Sequence, residues 1–271
     1  YKSIGNTFGD GAIDDVCVYE APPNDMGATA MLTPVPGECY TSCENPEIEV
    51  TNLGANMLNL ANTNIRVYTQ MTGPNNHFDS LDLTTGTLAV LAKATAIMPS
   101  CFDMSLPGVY TFRSWTSFAT GGPDNQIIND SMKVVTMTNF TILVDAANPH
   151  LEDFETFTIG NFGAGNSTNG FLDNGWERDP GDNVFQSWNV EGAGIQNTTL
   201  TGPIVDATFN SRSRGTYMYA RPSFVAGTVF TLESPCIDFT NTTGPRMDFA
   251  YHMFGAAMGT IAVDGLSGGN W

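Results

Sequence analysis

Carboxylates are the residues this chain supplies most freely for chemistry. Its 271 residues hold 28 Asp and Glu against 10 Lys and Arg, a formal net charge of -18. Hard oxygen ligands in such excess suit divalent cations, and Ca2+ is the extracellular default. The same charge repels phosphate backbones and anionic lipid surfaces, which argues against nucleic-acid binding and membrane insertion. The three histidines, His77, His150 and His252, are far apart and lack HExxH or any other paired ligand spacing. His252, between Tyr251 and Met253, is expected to be a partly buried structural imidazole in a strand. Cysteines stand at 17, 39, 43, 101 and 236. The spacing Cys39-x-x-x-Cys43 lacks the second pair and the histidines of a zinc site, so disulfides in an oxidising compartment are expected. Cys101 is expected to pair with Cys39 or Cys43. Cys17 and Cys236 are expected to pair, if at all, within different copies of one domain type.

Two short motifs match catalytic signatures by letters alone. Gly160-Asn161-Phe162-Gly163-Ala164-Gly165-Asn166-Ser167 has the glycine spacing of a phosphate loop, but Asn166 stands where the lysine is needed and no helix-forming run follows. Gly265-Leu266-Ser267-Gly268-Gly269 matches a nucleophile elbow, yet the last histidine is His252, ahead of it. Nothing points to a catalytic carboxylate pair, and the chain is expected to be non-enzymatic. Asp79-Ser80-Leu81 and Asp130-Ser131-Met132 resemble the O-glycosylation acceptor of Bacteroidota, making Ser80 and Ser131 candidate glycosylation sites on loops. Asn-x-Ser/Thr sequons at Asn129, Asn139, Asn166, Asn197 and Asn241 matter only in a eukaryotic secretory pathway.

The elements that must position these residues are strands. Apolar residues make up 41% of the chain and charged residues 14%, below the ~25% of ordinary soluble proteins. No segment supplies helix formers at 3.6-residue spacing. Glu47–Thr51 and Asn64–Thr69 alternate with period two, Leu88–Ala92 reads as a buried run, and Gly108–Trp115 is the clearest strand. Lys133–Thr138 and Phe140–Val144 follow, so residues 26–145 read as an antiparallel sandwich. Pro22-Pro23 and the turn Asp145–Pro149 mark junctions. Beyond Asp153 lies a Gly, Asn and Asp-rich stretch anchored by Trp176, Phe185 and Trp188. Strands resume at Thr216–Ala220, Val229–Leu232, Arg246–Tyr251 and Thr260–Val263.

Several motifs resemble known families. Asp153-Phe154-Glu155, Thr201-Gly202-Pro203-Ile204-Val205-Asp206-Ala207-Thr208, Gly215-Thr216-Tyr217-Met218-Tyr219, Leu232-Glu233-Ser234-Pro235 and Tyr251-His252-Met253-Phe254-Gly255 resemble a MAM domain, a jelly-roll sandwich. Ala12-Ile13-Asp14-Asp15-Val16 looks like the end of a preceding copy. Val50-Thr51-Asn52-Leu53-Gly54, Pro107–Phe112 and Asp124-Asn125-Gln126-Ile127-Ile128-Asn129-Asp130 resemble a CARDB-type, immunoglobulin-like domain. The expected architecture is therefore all-β: an immunoglobulin-like sandwich over 26–145, then a jelly roll over 151–271 that is incomplete at its C-terminal end. Residues 1–20 are expected to be the closing strand of a preceding jelly roll, making the chain a fragment of a tandem array. The MAM resemblance implies a cation held by Glu155 and Asp206, with Asp14 and Asp15 serving the preceding copy. A loop-borne alternative is Asp173, Asp179 and Asp182.

Alternation of such modules resembles the large repetitive surface proteins and gliding-motility adhesins of Bacteroidota, exported through the type IX pathway. The expectation is an extracellular, cell-surface adhesin or fibre segment whose partners are neighbouring repeats and a protein or carbohydrate ligand. Two alternatives differ in class. The modules could be accessory domains of a secreted hydrolase such as a zinc peptidase. They could also be a carbohydrate-binding module with Trp176 or Trp188 stacking on sugar rings.

Overall fold

The computed structural model describes residues 20–120, 122–124, 126–160, 174–178, 187–192, 203, 205–211, 214–220, 229–254 and 259–265. The chain divides into two compact units, Tyr1–Thr138 and Asn139–Trp271. Apart from a three-residue 3-10 turn at Ile127–Asn129, the regular structure among the described residues is β-strand. No helix among them is long and apolar enough to cross a membrane.

The first unit holds β1 (Met26–Thr33), β2 (Glu47–Asn52), β3 (Leu58–Asn59), β4 (Ile65–Thr72), β5 (His77–Leu83), β6 (Thr87–Leu88), β7 (Lys93–Ile97), β8 (Gly108–Phe118) and β9 (Val135–Asn139). One sheet has the order β1-β2-β7 and the other β5-β4-β8-β9, with β3 and β6 forming a short pair. The ladders β1–β2, β2–β7, β4–β5 and β4–β8 are antiparallel. Two such sheets around one core make an immunoglobulin-like sandwich.

Side-chain alternation explains why these segments pair. Ile65, Val67, Thr69 and Met71 of β4 point inward and are fully buried, as do Tyr110, Phe112, Ser114 and Thr116 of β8. They meet Ile48 and Val50 of β2, together with Met98, Phe102 and Met104, in one hydrophobic cluster. Each large apolar side chain buried this way stabilises the fold by ~1.5–3 kcal/mol. Two of the inward hydroxyls, Thr69 and Ser114, sit opposite each other and share a 3.0 Å hydrogen bond.

Two strand expectations change in this unit. Leu88–Ala92 is not a buried run: only Leu88 is buried, Val90 and Leu91 are 47% and 68% exposed, and Leu91 adopts a φ of 61°. The cause is Asn52, whose amide nitrogen donates to the carbonyls of Leu88 and Ala89 and so bends this segment into a turn. Ile142–Leu143 leaves the first sandwich altogether. The division into units falls ahead of the Asp145–Pro149 turn, because this short strand pairs with Ile237–Asp238.

Cys43 bonds to Cys101, next to the isolated bridge between Glu44 and Phe102. Cys39 and Cys236 are also disulfide-bonded. Cys17, like the whole of residues 1–19, lies outside the described residues.

The second unit holds β10 (Ile142–Leu143), β11 (Glu177–Arg178), β12 (Trp188–Gly192), β13 (Thr216–Ala220), β14 (Leu232–Glu233) and β15 (Ile237–Asp238). Its described ladders are three pairs: β12–β13 and β11–β14 antiparallel, and β10–β15 parallel. Trp188 donates its indole N–H to the Phe230 carbonyl at 3.1 Å, and Trp176 packs edge-on against Phe154. Both indoles are half-buried parts of the packing. The strands expected at Arg246–Tyr251 and Thr260–Val263 form no ladder among the described residues. Their apolar side chains consequently stay open, Phe249 at 55% and Val263 at 57% exposure. His252 shares this environment: it is exposed and lies against Phe254, not partly buried in a strand.

Candidate metal centre

Three carboxylates from two distant segments meet in the first unit. Oxygen atoms of Asp25, Asp124 and Asp130 all lie within 4.8 Å of one another. That is the span of opposed ligands around a cation with metal–oxygen distances of about 2.3–2.6 Å.

Asp25 is placed by the turn that ends β2. The N–H groups of Leu53 and Gly54 both donate to the Asp25 carbonyl, at 3.0 and 3.1 Å. Those of Ala55 and Asn56 reach Pro22 and Pro23. Asn52, fully buried, braces this turn: its Oδ1 accepts the Gly54 N–H, and its amide nitrogen donates to the Asn56 carbonyl as well as to Leu88 and Ala89. Gly54 is required by closeness. A Cβ there would lie 2.8 Å from the Asp25 nitrogen and 2.9 Å from the Pro23 oxygen. The Val50–Gly54 motif, singled out in the sequence for its resemblance to a CARDB-type domain, is thus a clamp on residues 22–25.

The other two carboxylates flank the 3-10 turn. Asp124 accepts the Gln126 N–H at 2.8 Å and the Met26 N–H at 3.2 Å. The Asp130 carbonyl accepts the N–H of Ala28 at 3.0 Å and of Thr116 at 3.2 Å, stitching the segment to β1 and β8. Gly27 lets the segment come this close, since a Cβ there would sit 2.5 Å from the Asn129 oxygen.

The electrostatics of the cluster are unfavourable without a cation. Asp25 is 0% exposed, and its Oδ1 has no hydrogen-bond partner, as is true of the buried Oδ1 atoms of Asn129 and Asp130. Oδ2 of Asp25 accepts the Asn129 amide at 3.0 Å. Burial raises the Asp25 pKa, the Asn129 hydrogen bond opposes that, and the charge of Asp124 adds to it. Asp130 is pushed up to about 6, by burial first and then by the charges of Asp124 and Asp25. A divalent cation would remove this repulsion and satisfy the orphaned oxygens. Asp25, Asp124, Asp130 and Asn129 are the residues able to hold it.

Sequence reasoning missed this centre, although two of the three carboxylates bound the Asp124–Asp130 motif. The signal was that motif's two terminal aspartates, whose meeting with Asp25 depends on the long-range pairing of β1 with β2.

The expected ligands Glu155 and Asp206 lie in the second unit, where both serve the start of β13. Glu155 Oε1 accepts the Thr216 N–H at 2.8 Å. Asp206, 3% exposed, accepts the Phe209 N–H at 2.7 Å and sits against Gly215. A Cβ at Gly215, whose φ is +100°, would lie 2.3 Å from the Asp206 carboxyl carbon. Glu191, opposite Tyr217 in the β12–β13 register, is buried nearby. Burial, with the charge of Glu191 adding, pushes the Tyr217 hydroxyl up to about 12. Asp14 and Asp15, and the alternative Asp173, Asp179 and Asp182, lie outside the described residues.

Of the candidate glycosylation sites, Ser80 is in the middle of β5 rather than on a loop, because Ser80 pairs with Tyr68 in the ladder. The adjacent Asp79 carboxylate is engaged by the Ser100 N–H at 2.9 Å. Ser131 is exposed and forms an isolated bridge with Trp115.

No family model matches the chain, and no curated protein is similar to it. Among solved structures it is similar to the CARDB domain of a Pyrococcus furiosus protein in complex with di-metal ions. That likeness has 10% identity and a TM-score of 0.31, and covers 47% of this chain and 98% of the other. The immunoglobulin-like assignment of the first unit rests on its own strand order and register.

Proposed function

We propose that the chain is a non-enzymatic, extracellular adhesive or surface-fibre segment whose first sandwich is stapled by Ca2+. The observation that carries this reading is the Asp25–Asp124–Asp130 cluster with the buried, unpartnered Asp25 Oδ1. All-oxygen ligands drawn from remote segments favour Ca2+ over softer-ligand metals such as Zn2+. A cation there would tie the entry to β1 to the loop ahead of β9. The disulfides support an oxidising compartment. The MAM-like motifs of the second unit support a jelly roll with a second Ca2+ at Glu155 and Asp206, and a place in a tandem array with Asp14 and Asp15 serving a preceding copy. Accessory domains of a secreted hydrolase are the alternative context.

Calorimetric titration of the EDTA-treated chain with CaCl2, and with MgCl2 as control, tests the staple. Saturable Ca2+ binding that Asp25→Asn and Asp130→Asn abolish supports it. Absence of binding heat together with a melting temperature indifferent to Ca2+ removes it.

A further inference from the structure

The outward face of the four-stranded sheet carries aromatic residues that the core does not use. On β4 the inward positions are Ile65, Val67, Thr69 and Met71, so Arg66, Tyr68 and Gln70 face out. The ladders place Phe78, Ser80 and Asp82 of β5 on one side of them and Arg113, Trp115 and Ser117 of β8 on the other. Three rings converge there. Tyr68 stacks on Trp115 with centroids 5.3 Å apart and on Phe78 at 6.0 Å, and Phe78 lies 6.1 Å from Trp115 across β4. Phe78 is 55% exposed.

Polar groups that could form hydrogen bonds rim the rings. Arg66 is fixed by a two-pronged contact with Asp82, at 2.5 and 2.7 Å. Arg113, opposite Gln70 in the register, is exposed. With Arg66 neutralised by Asp82, Arg113 leaves this face with a local positive sign, in a chain whose net charge is -18. Cross-strand aromatic pairs alone would steady a sheet, but they need neither a half-exposed Phe78 nor a cation at the edge. Aromatic π-faces carry partial negative charge and attract the polarised C–H groups on one side of a pyranose ring. Guanidinium groups beside them bind carboxylates.

We propose that this face, centred on Tyr68, Phe78 and Trp115 with Arg113 at its edge, binds an acidic glycan built of uronic acid residues. The assignment rests on the adhesive reading for its biological setting and names the ligand class within it. Its test is separate, since Ca2+ binding at Asp25 reports on the staple and glycan binding reports on the face.

The experiment is affinity electrophoresis of the full chain through gels containing polygalacturonate or, as neutral control, hydroxyethylcellulose, with Trp fluorescence titration against oligogalacturonate. The expected result is retardation by polygalacturonate that weakens with added salt, and at least tenfold weaker binding for Trp115→Ala and Phe78→Ser. Arg113→Gln is expected to lose about fivefold on polygalacturonate and to gain nothing on the neutral polymer. Phe78→Ser and Arg113→Gln alter exposed side chains, so an unchanged melting curve shows that lost binding is not lost folding. Unretarded migration in polygalacturonate overturns the proposal, as does retardation that survives both Phe78→Ser and Arg113→Gln. Equal retardation in the neutral gel overturns the acidic assignment.

Discussion

Replacing Asp130 with Asn is predicted to change stability in opposite directions with and without Ca2+. In the cation-free protein, the rise of the Asp130 pKa from 3.8 to about 6 measures how much burial and its two acidic neighbours disfavour the ionised form. Two units correspond to roughly 3 kcal/mol at ~1.36 kcal/mol per unit. Because Asp130 is partly exposed, solvent screening reduces this to about 1 kcal/mol. Asn keeps the shape and the carbonyl oxygen but never ionises. The direction with pH follows from proton uptake. Between pH 4 and 6 the native state holds a proton that the unfolded chain has released, so native stability falls as pH rises through that window. Asp130→Asn and the parent chain should therefore match near pH 4 and diverge by pH 8, the variant being more stable in EDTA by about 1 kcal/mol. With Ca2+ at a hundred times its dissociation constant the parent gains about 2.7 kcal/mol, most of which the variant forgoes. The order then reverses. Urea denaturation followed by Trp fluorescence, in EDTA and in CaCl2 at pH 4 and pH 8, reads both differences as midpoint shifts of about 0.5 M or more. A variant less stable than the parent in EDTA at pH 8, or a parent whose midpoint ignores Ca2+, would refute the reasoning.

Two further perturbations probe the frame around the centre. Gly54→Ala would place a Cβ 2.8 Å from the Asp25 nitrogen, against backbone that cannot swing aside; the expected outcome is roughly tenfold weaker Ca2+ binding by calorimetry, worth about 1.4 kcal/mol, with an unchanged far-UV spectrum. Removing the Cys43–Cys101 bridge, which joins residues 58 apart, by the double change Cys43→Ser and Cys101→Ser should cost about 4 kcal/mol in the loop-entropy description; a loss under ~1 kcal/mol in urea titration would show that the bridge constrains little of the unfolded chain.

Strands with strong alternation were legible in the sequence because one face of each is buried. Gly108–Trp115 falls inside β8, and all of Asn64–Thr69 except Asn64 falls inside β4. Strand β1 was not visible, since Met26-Gly27-Ala28-Thr29-Ala30 offers small residues on both faces and its pairing register shifts twice. Strand β5 hid for a different reason: His77, Asp79 and Ser100 use polar contacts where a core-facing strand edge would show apolar residues. The buried-run reading of Leu88–Ala92 failed because a single remote side chain, Asn52, dictates the turn there. The same limit concealed the metal centre. Asp25 is about a hundred residues from its partners, and only the fold brings it to them.

The bonding of Leu53–Asn56 to residues 22–25 also governs how the first sandwich would carry load. Tension arriving from the N-terminal side reaches this four-donor latch before it reaches the first rung of the β1–β2 ladder. Traction is thereby diverted into the β2 corner, and a cation on Asp25 would spread it onward to the loop bearing Asp124 and Asp130. Peeling from that terminus must first break the latch before any rung of the β1–β2 ladder is loaded.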